Sequence, residues 1–225
     1  MEIDEVKEQI GAAAANLIQD DMLVGLGSGT TSAFFVKSLA KRCQQGLKIK
    51  AVASSEATEK LAKKLNISLI SINDVTLLDV TVDGADEIDE KKQMIKGRGG
   101  ALVREKILAS MSREMIVIVD ETKLVSQLGK CPLPIEVIPY GYNGTFHKLE
   151  KLGYKGKWRK NQDGSYYVTD NRNYIFDLHF DRFCQDPRRD HEILIHLPGI
   201  VDTGFFFDLA GRVVIGFFDG QIVIR

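Results

Sequence analysis

From Asp4 to Gln19 the apolar residues Val6, Ile10, Ala13, Ala14, Leu17 and Ile18 recur at helical spacing. Met22 to Leu26 follows as a short apolar run of the kind that makes a buried strand. The alternation continues along the chain. Gly25-Leu-Gly-Ser-Gly-Thr-Thr-Ser leads into a helical stretch from Ala33 to Lys41, Lys48 to Ala53 reads as a strand, and Glu59 to Leu65 reads as a helix. Leu69 to Ile72 and Leu77 to Val82 are further apolar segments. Gly97 to Gly100 precedes helical Ala101 to Met111, and Met115 to Val119 is an uninterrupted apolar run suited to a strand covered on both faces. Strands alternating with helices predict an α/β fold with a mostly parallel, doubly wound sheet.

The pattern changes at Gly129-Lys-Cys-Pro-Leu-Pro, where prolines interrupt any helix. Beyond it Ile135 to Pro139, Tyr166 to Thr169 and Tyr174 to His179 read as strands, with helical Phe146 to Leu152 and Asp190 to His196. That order predicts a small α+β lobe with an antiparallel component. Gly204 to Phe207, Val213 to Phe217 and Gln221 to Ile224 are short strands expected to return to the first lobe. The expected division is therefore 1–128 plus 204–225 for the larger lobe and 129–203 for the smaller. A chain of 225 residues has room for one core and such a lobe, but not for two full-sized domains.

Charge narrows the partners. With 30 basic against 31 acidic residues the net charge is -1, which favours neither a nucleic-acid track nor an anionic membrane surface. An anion bound here should be small and locally held. Cys43, Cys131 and Cys184 are odd in number and far apart, so reduced structural thiols are expected, without a disulfide framework or zinc site. Met1 leads into an acidic amphipathic stretch, and no uncharged run approaches the roughly 20 residues of a membrane-spanning helix. A cytoplasmic protein is expected.

Four segments carry candidate chemistry. Gly25 to Ser32 sits at a strand-to-helix junction and offers backbone amides, hydroxyls and the positive end of a helix, which are anion ligands. It lacks the lysine of a Walker loop and the third glycine of the dinucleotide fingerprint. Ser54-Ser-Glu-Ala-Thr repeats the hydroxyl theme after a strand, where helix capping is the better reading. Asp83-Gly-Ala-Asp-Glu-Ile-Asp places carboxylates after an apolar strand, where such sheets bind ligands. Asp83 and Asp86, three apart in a turn, could face one cleft and share a proton, or hold a hard cation. Lys96-Gly-Arg-Gly-Gly-Ala-Leu-Val-Arg-Glu-Lys sets a lysine and an acid on either side of a glycine turn that permits close backbone approach to a ligand. Glu105, about one turn into the helix, can point back across it. Proton transfer next to a carbonyl needs such a carboxylate base and a cationic partner for the enediolate oxygen.

In this order, Gly25-Leu-Gly-Ser-Gly-Thr-Thr, Ser54-Ser-Glu-Ala-Thr, Asp83-Gly-Ala-Asp-Glu, Lys96-Gly-Arg-Gly-Gly-Ala-Leu-Val-Arg-Glu-Lys, Asp120-Glu-Thr-Lys and Pro132-Leu-Pro-Ile-Glu-Val resemble ribose-5-phosphate isomerase type A. The resemblance runs to Leu197-Pro-Gly-Ile-Val and covers nearly the whole chain. It implies interconversion of ribose 5-phosphate and ribulose 5-phosphate through an enediolate, without metal or organic cofactor. It also implies a Rossmann-like lobe carrying a ferredoxin-like one. By position, Glu105 matches the general base, Lys96 the residue that stabilises the enediolate oxygen, and Asp83 and Asp86 the pair that assists ring opening and shuttles protons. Phosphate contacts are implied for Thr30 and Thr31, with Ser28 and Gly29 in the same loop, and for Lys7 and Lys123. The resemblance also implies that Gly97, Gly99 and Gly100 form the glycine turn at the substrate.

Two positions depart from the family pattern. Arg98 stands where many relatives carry glycine or a small residue, and Asp120-Glu-Thr-Lys has threonine where serine is usual. Arg98 bears on the rim of the pocket and on substrate preference. The histidines His147, His179, His191 and His196 all fall in the smaller lobe, away from the carboxylate segments. Apolar Gly204-Phe-Phe-Phe suits a homodimer or homotetramer. A non-catalytic sugar-phosphate sensor of related fold would keep the hydroxyl loops without needing Lys96 and Glu105.

Overall fold

The computed structural model describes every residue from Met1 to Arg225. The chain begins with Ile3–Ala15 (α1), Leu23–Leu26 (β1), Gly29–Gln44 (α2), Lys50–Ala53 (β2), Glu56–Lys64 (α3) and Val80–Gly84 (β3). Two very short strands follow, Glu87–Ile88 (β4) and Met94–Ile95 (β5), then Leu102–Ser110 (α4) and Met115–Asp120 (β6). Next come Leu133–Val137 (β7), Tyr142–Lys151 (α5), Lys155–Trp158 (β8), Tyr174–His179 (β9), Pro187–Ile195 (α6) and Ile200–Thr203 (β10). Phe205–Phe206 (β11), Ala210–Gly216 (β12) and Ile222–Ile224 (β13) complete the order. Two compact units result. Met1–Ala85, Arg104–Leu124 and Asp208–Arg225 make the first; Asp86–Val103 and Val125–Phe207 make the second.

The first unit is built on a six-stranded sheet in the order β13-β12-β6-β3-β1-β2. Every neighbouring pair is parallel except the β12–β13 hairpin. This is the expected doubly wound α/β sheet. Its strands are buried throughout in β6 and nearly so in β3, as strands covered by helices on both faces must be. The core gathers Val6, Ile10 and Ala14 from successive turns of α1, Phe35 and Leu39 from α2, and Leu26, Val82, Ile116, Ile118 and Val214 from the strands. Chain order reverses at β1, which lies between β2 and β3. At such a switch point the loops leaving the carboxyl ends of adjacent strands diverge and open a crevice.

The second unit holds an antiparallel sheet in the order β10-β7-β9-β8 and a three-stranded one in the order β11-β5-β4. Leu133, Ile135 and Val137 alternate onto the core face of β7, where they meet Phe176, Leu178, Leu149 and Leu194. Pro134 and Glu136 face the other way, as the period of two along a strand requires.

Several elements differ from the sequence-based expectation. Residues 86–103, 125–128 and 204–207 belong to the second unit, whereas 1–128 and 204–225 were expected in the larger lobe. The cause is strand pairing: β5 runs antiparallel to both β4 and β11, and the Lys96 N–H donates to the Gly204 carbonyl at 2.8 Å. Leu69 makes only a single bridge to Ala51, and Tyr166 to Thr169 makes only isolated bridges to Lys160 and Tyr174. Strand β8 was not anticipated because Lys155-Gly-Lys-Trp has one large apolar residue. No helix is long and apolar enough to cross a membrane.

Candidate active site

In the first unit β1 ends at Leu26 and α2 begins at Gly29, so Gly27 and Ser28 make the entire connection. The Gly27 N–H donates to the Val82 carbonyl at 2.9 Å, which lays the connection alongside the end of β3. A Cβ at position 27 would overlap the Asp83 carboxylate, so only glycine lets Asp83 pack here. Ser28 stands at the N-cap of α2 but makes no side-chain cap bond. Its hydroxyl donates instead to Glu105 Oε1, and its backbone N–H donates to Asp83 Oδ1 at 3.0 Å. The first turn of α2, with Gly29 and Thr30 exposed and Thr31 half-buried, therefore has no side-chain cap. A 16-residue helix with amides and hydroxyls at such an end is suited to hold a phosphate.

Two carboxylates lie beneath this connection. Asp83 is fully buried, and its Oδ1 accepts the Ser28 N–H, the Ser32 hydroxyl at 3.1 Å and the Gly84 N–H at 2.8 Å. Glu105, on the first turn of α4, is only 4% exposed. A carboxylate is costly to remove from water unless hydrogen bonds replace hydration. Glu105 is therefore no surface helix acid, and Ser28 ties it to the loop that also grips Asp83. Where β6 ends, Asp120 Oδ1 accepts the Thr122 N–H at 3.0 Å and the Thr122 hydroxyl, winding Glu121–Lys123 into a tight turn. Because β1, β3 and β6 run parallel, Lys123 leaves the same edge of the sheet as Gly27 and Asp83. Lys7 lies on α1, which packs against α2. Its side chain is 15% exposed and its Nζ is 3.6 Å from Asp4.

The second unit carries the remaining candidates. Lys96 is 3% exposed, with Nζ 5.4 Å from the centroid of the Phe206 ring. Asp86 Oδ2 accepts the Arg98 N–H at 2.9 Å, so this carboxylate braces the turn Gly97 to Gly100. Gly97 and Gly100 both have left-handed φ values, 101° and 85°. The structure thus groups Ser28, Asp83 and Glu105 in one unit, and Asp86, Lys96, Gly97, Gly99 and Gly100 in the other. Asp83 and Asp86, read as neighbours in one turn, hold different donors. Ser28, expected near phosphate, has both its N–H and its hydroxyl committed to carboxylates.

Sequence reading missed two supports of this arrangement. Ser32 donates to Asp83, and the Thr58 hydroxyl donates to the Gly27 carbonyl at 3.0 Å. Ser55 caps α3 by accepting the Thr58 N–H at 3.1 Å, so the second hydroxyl segment is a cap that also braces the glycine connection. The signal for it was the hydroxyl-rich stretch after β2, which by itself reads only as a cap. No group of three or more His, Cys, Asp or Glu side chains is disposed to hold a metal ion.

Residues 50–220 match the family model of ribose 5-phosphate isomerase A, phosphoriboisomerase A. A ribose-5-phosphate isomerase A from Protochlamydia amoebophila is 48% identical over 220 residues, covering 98% of this chain and 95% of that protein. One from Bacillus mycoides is 44% identical, covering 94% and 95%. Among solved structures, ribose 5-phosphate isomerase from Plasmodium falciparum superposes with a TM-score of 0.95 at 35% identity, covering 99% and 98%. A D-ribose-5-phosphate isomerase in complex with phospho-erythronic acid gives 0.93 at 37% identity over 100% of both chains.

Proposed function

The chain belongs to the ribose 5-phosphate isomerase A family, and from that premise we propose that Glu105 is the base that carries the proton between the first two sugar carbons. The enzyme is an aldose-ketose isomerase that interconverts D-ribose 5-phosphate and D-ribulose 5-phosphate in the non-oxidative pentose phosphate pathway. From the open-chain aldose, Glu105 takes the C2 proton; the electron pair forms the C1–C2 double bond, and the carbonyl oxygen becomes the enediolate oxygen. The Lys96 ammonium stabilises that charge. Glu105 then returns the proton to C1 as the O2 proton is passed to O1, so that C2–O2 becomes the carbonyl and O1 the hydroxyl of the ketose. Asp83 and Asp86 assist ring opening and relay protons among the hydroxyls. Thr30, Thr31, Lys123 and Lys7 hold the phosphate at the uncapped start of α2, with Gly29 in the same turn and Ser28 orienting Glu105. Gly97, Gly99 and Gly100 let the backbone approach the sugar. The relative that was solved with phospho-erythronic acid supports a phosphorylated, polyhydroxylated substrate.

The observation that carries the assignment of the base is the buried Glu105 carboxylate held by the hydroxyl of Ser28. Glu105→Gln should lower kcat by roughly 10²- to 10⁴-fold while substrate binding persists, because the loss falls on the chemical step. Unchanged turnover would refute the role. No metal or organic cofactor is proposed, so activity should survive EDTA; loss on chelation with recovery on adding a divalent metal would overturn that. A cytoplasmic location and a homodimer or homotetramer are also proposed; Phe205 and Phe206, expected to suit an interface, are instead buried, and the apolar surface that supports self-association is exposed Tyr140 with half-exposed Ile138. Light scattering on the purified protein reads the oligomeric state, and a monomer would refute it.

A further inference from the structure

We infer that Arg159, held by Asp177 and seconded by Tyr167, is a positioning residue for the isomerisation, fixing the peptide planes of the turn that follows Lys96. The inference rests on the role proposed above for Lys96 and its glycine turn.

Arg159 lies just beyond β8, in the same unit as the turn. Its guanidinium grips Asp177 of β9 with two bonds, Nε to Oδ2 at 2.9 Å and Nη2 to Oδ1 at 2.5 Å. With that anchor made, Nη1 donates to the Gly97 carbonyl at 3.1 Å and to the Arg98 carbonyl at 2.8 Å. The Tyr167 hydroxyl takes the next carbonyl, that of Gly99, at 3.1 Å. Three successive carbonyls of the turn are therefore each tied to a side chain of the small unit.

Across a trans peptide the C=O and the following N–H point in opposite directions. Drawing the Gly97 carbonyl onto Arg159 turns the Arg98 N–H away, where Asp86 Oδ2 accepts it. Drawing the Arg98 carbonyl onto the same guanidinium likewise turns the Gly99 N–H away from Arg159. A turn with glycines at 97, 99 and 100 has little preference of its own among backbone conformations. The Gly100 N–H closes the turn on the Gly97 carbonyl at 2.9 Å, and the side chains around it supply the further constraint that selects one conformation. At Gly100 a Cβ would overlap the Tyr167 ring, so glycine and tyrosine fit one another as a pair.

The anchors are themselves rigid. Asp177 pairs with Pro134 in the β7–β9 register. On the same face of β7, buried Glu136 Oε1 accepts from Thr169 Oγ1 at 3.0 Å, Asn171 Nδ2 at 3.1 Å and Asn173 Nδ2 at 2.8 Å, fastening the turn just after Tyr167. The arginine fork makes four bonds here from three nitrogens, two to the carboxylate and one to each carbonyl; a lysine ammonium has three donors on a single atom and cannot reproduce them.

The test is steady-state kinetics with ribose 5-phosphate on Arg159→Ala, Arg159→Lys, Lys96→Ala and the Lys96→Ala/Arg159→Ala double variant. Misplacement of a catalytic group by a fraction of an ångström to an ångström lowers kcat, so Arg159→Ala should lose about 10- to 100-fold in kcat. KM should stay within about threefold, since the lost interaction acts in the chemical step. Millimolar guanidinium should restore part of that kcat and leave wild type unchanged. In the Lys96→Ala background, the Arg159 change should cost less than about threefold further, because the group it positions is gone. Should Arg159→Ala not fold, Arg159→Lys keeps the charge and should still lose kcat. A folded Arg159→Lys or Arg159→Ala enzyme with wild-type kcat, or a full additive loss in the double variant, overturns the inference. Lys96→Ala with wild-type kcat would instead remove the reading beneath it.

Discussion

Ser28 joins two functions that sequence reading keeps apart. A serine at the start of a helix is expected to cap it, or to touch phosphate in a loop of this kind. Here its hydroxyl serves Glu105 and its N–H serves Asp83. Ser28→Ala should therefore act on catalysis as well as stability, lowering kcat by about tenfold and costing about 1–3 kcal/mol, the range for a buried polar group deprived of a partner. Kinetics together with a denaturation midpoint check it; a variant with changed KM and unchanged kcat would mean that the hydroxyl works on phosphate. The thiols are a second prediction at this scale. Burial raises the pKa of Cys43, and burial with the nearby Glu87 and Asp190 carboxylates raises Cys131 and Cys184 well above the usual thiol range. Thiolate is the reactive form, so native protein at pH 8 should react slowly with a thiol reagent, and denatured protein quickly at all three. Fast native labelling of Cys131 or Cys184 would contradict the burial. At this scale the sequence names Glu105 and Lys96 through the order of the family's motifs. It could not reveal that Glu105 is buried or that Ser28 holds it, since both depend on where α4 is laid against a loop 77 residues away.

Elements were legible where their hydrophobic period was long. The apolar runs that became β1, β2 and β6 and the helices around them are strongly patterned, and the parallel order follows from their alternation. The two-residue strands β4 and β5 could not be read this way, because two residues carry no period, whereas the apolar run Gly204 to Phe207 was legible as the strand that became β11, though not its pairing with β5 far back in the sequence. Tyr166 to Thr169 shows the opposite error. Its aromatic and β-branched residues suit a strand, yet Thr169 accepts the N–H groups of Asn171 and Asn173 and bends the chain into a turn. The β1–α2 connection is the element on which the site depends, and it is only as tight as its glycine permits. Gly27→Ala forces a methyl group onto the Asp83 carboxylate and should cost about 1–3 kcal/mol, the usual range for overpacking, with loss of activity. Urea denaturation reads the first effect; a midpoint equal to wild type would show that the carboxylate can move aside.

At the scale of the whole molecule, each unit is assembled from stretches that are not contiguous in sequence. A boundary drawn where composition changes, near Gly129, marks the prolines but cannot show that residues 86–103 cluster with the segment that follows. The sheet of the first unit has the same property. Strand β12 lies inside it, between β6 and β13, and the Ile10 and Val6 side chains pack close over Gly216. Truncation after Phe207 should leave the edge of β6 open and its apolar face uncovered, giving protein that aggregates or lacks cooperative unfolding by circular dichroism. A cooperatively folded truncation would refute that dependence.

The inserted strand also bears on when this protein can first exist as an enzyme. Synthesis proceeds from the amino end, and stretches that finish early can fold early. Asp83 and Glu105 are made in the first half of the chain, but the strand that neighbours β6 on its far side is made only after residue 209. A ribosome carrying a nascent chain with both carboxylates already emerged would still hold an unclosed sheet, and isomerase activity should appear only when β12 has cleared the exit tunnel.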